Sequence, residues 1–272
     1  MAKLNIAADQ NPDSCVWTQL KQEAAAYATK EPALSSLIHA TILEQESLGG
    51  ALVNHLSEKL ATQEFSTLKT RRVLTEAIEA EPLLVEQAAK DLLAVRDRDP
   101  AAQSYLQAFM YFKGYMAIQT HRCAHSLYNS GRDLLAFHFQ NQSSEKFGVD
   151  INPAAKIGHG IMLDHATGFV MGETAVIGND CSILQGVTLG GTGKADQDRH
   201  PKVGNRVLIG ANASVLGNII IGDGAKIAAG SVVLKAVPEN CTVAGVPAQP
   251  VGGPCCGGNA ADTMNQEFGE DL

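Results

Sequence analysis

Aliphatic residues recur along this chain with two different periods. In the first half the period is helical: "EPLLVEQAAKDLLAV" sets Leu84, Val85, Ala88, Leu92 and Leu93 near one stripe. "AFMYFKGYMAIQTHRCAHSLY" and "RDLLAFHFQNQSSE" read as two further helices, with Gly131 at the break between them. Ala, Leu, Glu and Gln dominate here, and six to eight helices are expected.

Near residue 146 the pattern changes. Only Gly49, Gly50, Gly114 and Gly131 of the 26 glycines precede Gly148. An aliphatic residue now returns every sixth position: "INPAAK", "IGHGIM", "LDHATG" and "FVMGET", then a two-residue slip, then "IGNDCS" and "ILQGVT". After an interruption the units resume as "VGNRVL", "IGANAS", "VLGNII", "IGDGAK" and "IAAGSV". The fifth position is small or β-branched, as at Ala155, Thr167, Cys181, Val187 and Ala213. A six-residue period is the mark of a parallel β-helix, in which three short strands and three corners close a coil of about eighteen residues. The aliphatic residue points inward and stacks on its equivalents, so each coil is stable only against its neighbours. The predicted fold is α+β, with an α-helical domain over 1–145, a parallel β-helix over 146–250 and a flexible tail over 251–272.

Composition narrows the partners. A formal charge of −8 argues against nucleic acid. No run of eighteen apolar residues predicts a membrane span. The N-terminus lacks a signal-peptide core, so a soluble cytoplasmic protein is expected. Six cysteines form no Cys-x-x-Cys pair and are expected as free thiols, with the adjacent Cys255-Cys256 unexplained.

Two features stand outside the scaffold. "GGTGKADQDRHPK", Gly190 to Lys202, interrupts the repeat with a polar loop carrying Lys194, Asp196, Asp198, Arg199 and His200. Loops on rigid cores commonly carry function. "LDHATG" places Asp164 and His165 in a repeat unit that otherwise needs neither. Asp150 lies fifteen residues before His165, a little under one coil, and coils stack at about 4.8 Å. A carboxylate there could orient the imidazole as a general base; the alternative is an exposed His beside an unrelated Asp. Asp164 is either a corner residue or a ligand for a substrate cation. Arg199 and His200 suit a carboxylate, or form an ordinary solvated loop. His159, His165 and His200 raise a three-histidine zinc alternative, but Asp164 beside His165 is a poor ligand arrangement, and no metal is expected. "ANASVLGN" and "IAAGSVV" offer an edge of small side chains, either for corner packing or for a slender ligand.

"VDINPAAKIGHGIMLDHATGFVMGETAVIGND", "ILQGVTLGGTGK", "DRHPKVG" and "AGVPAQPVG" resemble the bacterial serine O-acetyltransferase family, as do "HATILEQESLGGAL" and "AVRDRDPA" in the helical half. The resemblance implies a left-handed coil and acetyl transfer from acetyl-CoA to the L-serine hydroxyl, the first step of cysteine biosynthesis from serine. It implies His165 as general base, oriented by Asp150. Asp99 and Asp164 would hold the serine ammonium, and Arg199 and His200 its carboxylate. Gly191, Thr192, Ala211 and Ala229 would line the acetyl-CoA arm. It further implies feedback inhibition by L-cysteine in the serine site, homotrimers or dimers of trimers with sites between neighbouring subunits, and docking of the C-terminal tail into O-acetylserine sulfhydrylase. Two departures stand out. Asn152 replaces a His of the family, and the tail ends in Leu272 rather than Ile. Another hexapeptide acyltransferase acting on a sugar or amine, or a non-catalytic scaffold for the sulfhydrylase, would account for the repeats but not for the charged residues.

Overall fold

A computed structural model describes residues 12–193, 197–252 and 260–265. Eight α-helices fill the first part: α1 (Pro12–Lys30), α2 (Ser35–Ile38), α3 (Leu48–Leu60), α4 (Thr67–Ala80), α5 (Leu83–Arg98), α6 (Tyr105–Tyr111), α7 (Lys113–Asn129) and α8 (Asp133–Phe147). Ser47 and Ser104 cap α3 and α6 by accepting the Gly50 and Gln107 N–H groups. The segment expected as one helix across 108–128 is two. Phe112 is extended between α6 and α7, which brings Gly114 onto the coil, where any Cβ would collide with the Leu163 carbonyl oxygen. Gly131, at φ +77°, turns the chain from α7 into α8.

After α8, Gly148 takes the left-handed conformation and the chain enters a parallel β-solenoid of about five turns. Its three faces follow in chain order. Face A stacks Val149–Ile151, Phe169–Met171, Thr188–Gly190, Ser214–Leu216 and Val232–Val233. Face B stacks Lys156–Ile157, Val176–Ile177, Lys202–Val203 and Ile220–Ile221. Face C stacks Met162–Leu163, Ser182–Ile183, Leu208–Ile209, Lys226–Ile227 and Thr242–Gly245, closed by antiparallel Ala248–Pro250. Each face buries an aliphatic column. On face C it runs Leu163, Ile183, Ile209, Ile227, Val243, all in register. Burying each such side chain stabilises the coil by about 1.5–3 kcal/mol. Left-handed residues also stack one coil apart, as Gly168, Gly186, Asn212 and Gly230 do at the corner between faces C and A.

The helices hold the lowest coil through buried ionic contacts. Arg122 and Asp91, both almost wholly buried, pair at 2.8 Å. Arg122 also donates to the Gly158 carbonyl at 2.6 Å, and Asp91 accepts the Ile161 N–H at 2.8 Å and the Gln119 amide at 2.9 Å. Such a pair is tolerated because both charged groups are paired and further hydrogen-bonded. Arg98, at the end of α5, donates to the Gly160 and Asp180 carbonyls.

Part of the expected tail also rests on face C. Ala260–Thr263 is helical, Ser182 Oγ donates to the Ala261 carbonyl at 2.8 Å, and Arg206 pairs with Asp262 at 3.0 Å. Cys123 and Cys181 are free, whereas Cys241 is disulfide-bonded, which corrects the expectation of free thiols throughout. Cys255, Cys256, Leu272, Lys194 and Asp196 lie outside the described residues.

Candidate active site

The "LDHATG" stretch is not a regular unit. Undisturbed coils repeat every eighteen residues, as Val170 opposite Thr188 and Ser214 opposite Val232 show. Met162 lies opposite Ser182 and Asp150 opposite Val170, each twenty residues apart. The two extra residues therefore fall between Leu163 and Phe169, not before Ile177. They make a wider corner at the C/A edge. His165 (φ +54°) and Ala166 (φ +64°) both turn left-handed, a conformation costing about 1–2 kcal/mol for a residue with a Cβ. The corner is held from behind: the Ala166 methyl is buried near Gly114, and Lys113 donates to Thr167 Oγ1. The excursion pushes His165 outward, with 72% of its side chain exposed.

Three acidic or basic groups meet at this edge. Asp164 Oδ2 lies 3.7 Å from His165 Nε2. Burial raises the Asp164 pKa, and the nearby Asp99 raises it further, while His165 opposes both. Asp99 ends α5, where its carboxylate accepts the Ala101 N–H at 2.7 Å. Two carboxylates beside a histidine can hold an ammonium next to a base.

Asp150 points outward from face A, one coil below. Its carboxylate accepts from Gln140 of α8 at 2.6 Å. Among the described residues no hydrogen bond or ion pair joins Asp150 to His165, so their expected contact is not formed within this chain.

Arg199 and His200 sit at the A/B edge, across face A from His165. The eight residues added between faces A and B show in the register: Thr188 lies opposite Ser214, twenty-six residues on. The returning loop lands on the corner Gly172-Glu173-Thr174. Arg199 pairs with Glu173 at 2.7 Å. Thr174 Oγ1 accepts the Arg199 and His200 N–H groups at 3.1 and 3.2 Å, and its carbonyl accepts from Lys202 at 2.9 Å. The His200 ring is buried, and its Nδ1 faces the Thr174 N–H at 3.2 Å. Burial foremost, then Arg199, lowers the His200 pKa. Nothing in the sequence marked Glu173 and Thr174. Thr174 works largely through main-chain groups, and the contacts of both residues cross an insertion that no period predicts.

The four residues expected along the acetyl-CoA arm divide the same way. Gly191, beside Arg199, and Thr192, beside Gly217, belong to the A/B edge. Ala211 and Ala229 belong to the C/A edge, stacked above His165 through the corner bonds Gly186 to Thr167, Asn212 to Gln185 and Gly230 to Ala211. That edge therefore grades from charged at His165 to small and apolar above it. His159, His165 and His200 lie on three different edges, and among the described residues no group of three or more metal-ligating side chains converges.

A triangular coil of six-residue units, with a histidine on one edge and a cationic loop on the next, defines a hexapeptide-repeat transferase. Profiles agree on both halves: "Serine acetyltransferase, N-terminal" matches residues 16–120 and "Bacterial transferase hexapeptide (six repeats)" matches residues 200–235. The serine acetyltransferase of Salmonella typhimurium is 54% identical over 253 residues, 93% of this chain and 92% of that protein. A solved serine acetyltransferase in complex with cysteine is 52% identical with TM-score 0.91, over 93% of this chain and 98% of that one. Another, in complex with CoA, is 53% identical with TM-score 0.85, over 88% and 100%. The chain belongs to the serine acetyltransferase family.

Proposed function

We propose that this chain transfers the acetyl group of acetyl-CoA to the hydroxyl of L-serine, giving O-acetyl-L-serine and CoA, at a site completed by a neighbouring subunit. The observation that carries this reading is the division of charge between the edges of face A. Asp99, Asp164 and His165 form one half-site, suited to an ammonium and a hydroxyl. Arg199 and His200 form the other, suited to a carboxylate. One chain holds them on opposite edges, so the C/A edge of one subunit meets the A/B edge of the next, as in a homotrimer or a dimer of trimers.

In that setting His165 takes the serine hydroxyl proton as the oxygen attacks the thioester carbonyl, then returns it to the leaving thiolate. Asp150 orients the ring once its carboxylate turns from Gln140. Asp99 and Asp164 hold the ammonium, and Arg199 and His200 the carboxylate. Gly191 and Thr192 of one subunit and Ala211 and Ala229 of the other line the acetyl-CoA arm. Both substrates held at once supply proximity. L-Cysteine shares every group of serine except the hydroxyl, so it occupies the same contacts and inhibits. The enzyme acts in the cytoplasm, and the tail ending at Leu272 docks into O-acetylserine sulfhydrylase.

The test is thiol release from acetyl-CoA with L-serine, with sugars and with no acceptor. Serine-dependent release, competed by L-cysteine, is expected; equal release with a sugar would overturn the acceptor assignment. Mixing His165→Ala and Arg199→Ala subunits, at a serine concentration well below the raised KM of Arg199→Ala so that each alone turns over little, tests the shared site. A site shared between chains regains activity in the mixed oligomer, and a site within one chain does not.

A further inference from the structure

We propose that Thr174 is the positioning residue of the carboxylate half-site, holding His200 as the Nε2–H tautomer and fixing the Arg199–His200 main chain against the coil. The inference rests on the assignment of Arg199 and His200 to the acceptor carboxylate.

Thr174 spends each of its polar groups on the returning loop. An amide N–H can only donate, so His200 Nδ1, 3.2 Å from the Thr174 N–H, must be the acceptor. The neutral ring then carries its proton on Nε2. Thr174 Oγ1 lies 2.9 Å from the same Nδ1 and accepts two main-chain N–H groups, while its one hydroxyl proton is shared between that nitrogen and the Asp198 carboxylate. The Thr174 carbonyl holds Lys202, which closes the loop behind. His200 is 7% exposed, yet Nε2 makes no hydrogen bond among the described residues. That nitrogen is not sealed from solvent, so its N–H is available to donate to a bound carboxylate. Gly172 leaves room for the ring, since a Cβ there would collide with it. The charged groups around His200 are Arg199 and Lys202, which oppose protonation, and Glu173 and Asp198, which favour it. Burial together with the two cations outweighs the carboxylates, so the pKa is lowered and the neutral ring is favoured.

Acceptor recognition at this edge then uses a fixed cation and a neutral donor, and it does not switch with histidine protonation. Thr174→Val keeps the shape and loses Oγ1, whereas Thr174→Ser keeps it. With the full-length enzyme, Thr174→Val should raise the KM for L-serine about tenfold, the size of one lost charge-assisted hydrogen bond. The fall in kcat should be smaller and the KM for acetyl-CoA unchanged. The serine KM should also acquire a stronger pH dependence near 6.5 than the parent shows, because Nδ1 keeps the main-chain N–H but loses the hydroxyl beside it, and protonation of the ring is opposed less. Thr174→Ser should restore both properties. His200→Gln, whose amide nitrogen replaces Nε2–H, should keep most of the serine affinity.

Equal losses of kcat and melting temperature in both Thr174 variants, with no change in the pH profile of KM, would mean a structural role only and would overturn the inference. So would loss of serine binding in His200→Gln as severe as in His200→Ala. Arg199→Ala separates the two levels. If it leaves the serine KM unchanged, the carboxylate assignment itself has failed; if it raises KM while Thr174→Val does not, the positioning role alone has.

Discussion

The two edges of face A are built by opposite means. At the C/A edge a two-residue excursion of the main chain does the placing: His165 is lifted out on left-handed backbone, with Asp164 near its ring. At the A/B edge side-chain and main-chain hydrogen bonds do it: Arg199 and His200 are tied to Glu173 and Thr174 before any ligand arrives. A base must reach and leave a proton, so a ring with few partners suits it. A carboxylate receptor gains from donors already fixed, because less ordering is needed on binding. The molecule thus separates the group that acts from the groups that hold, and assigns them different kinds of support.

The largest expected effect breaks the first edge. His165→Ala should lower kcat for serine acetylation about 10²–10⁴-fold, the usual worth of a general base. The melting temperature should stay put, because 72% of the side chain is exposed. A kcat within about tenfold of the parent would remove His165 from that role.

Next comes the support behind that edge. Asp91→Ala strands the buried Arg122 charge where helices meet coil, at an expected cost of about 3–5 kcal/mol in unfolding free energy. Denaturant melts read this directly. A smaller loss at full occupancy of the fold would show that the lowest coil holds its corner without the helices.

Much of this was legible in the sequence. The change of period near residue 146 separates helices from coil because a six-residue repeat has no other physical use. The loop ending in Arg199 and His200 stood out because it interrupts that repeat. What the repeat could not show is where extra residues are spent. "LDHATG" scans as a regular unit, with Leu163 inward and Thr167 small, yet the coil register counts two residues too many there. Sequence spacing also cannot say which edge a corner occupies. His165 and Arg199 lie thirty-four positions apart and on opposite edges of face A. Nor does spacing fix where the Asp150 carboxylate turns. One coil of stacking brings backbones together, but Asp150 projects from the middle of a strand and finds Gln140 first.

The second edge is tested by Arg199→Ala, which should raise the serine KM by about ten- to a hundredfold, the range for a hydrogen bond to a charged group. Its kcat should change less than that of His165→Ala. If both variants instead lose kcat equally with KM unchanged, the separation of acting from holding groups is wrong. In that case Arg199 contributes in the transition state.

The smallest effect probes the contact between Arg199 and Glu173. At 2.7 Å, and partly exposed, this pair can act in two ways: it can aim the guanidinium, or it can compete with the serine carboxylate for it. The main chain of Arg199 is already fixed by Thr174, so aiming has less left to do and competition should dominate. Glu173→Gln keeps a hydrogen-bond acceptor and removes the charge, and should lower the serine KM about two- to threefold, in line with the ~0.2–1 kcal/mol of an exposed ion pair. Because the effect is electrostatic and near the surface, it should shrink as salt is raised. Serine saturation curves at low and high ionic strength measure both. A KM that rises instead, at either salt, would mean that Glu173 aims Arg199 and that the A/B edge depends on side-chain as well as main-chain anchoring.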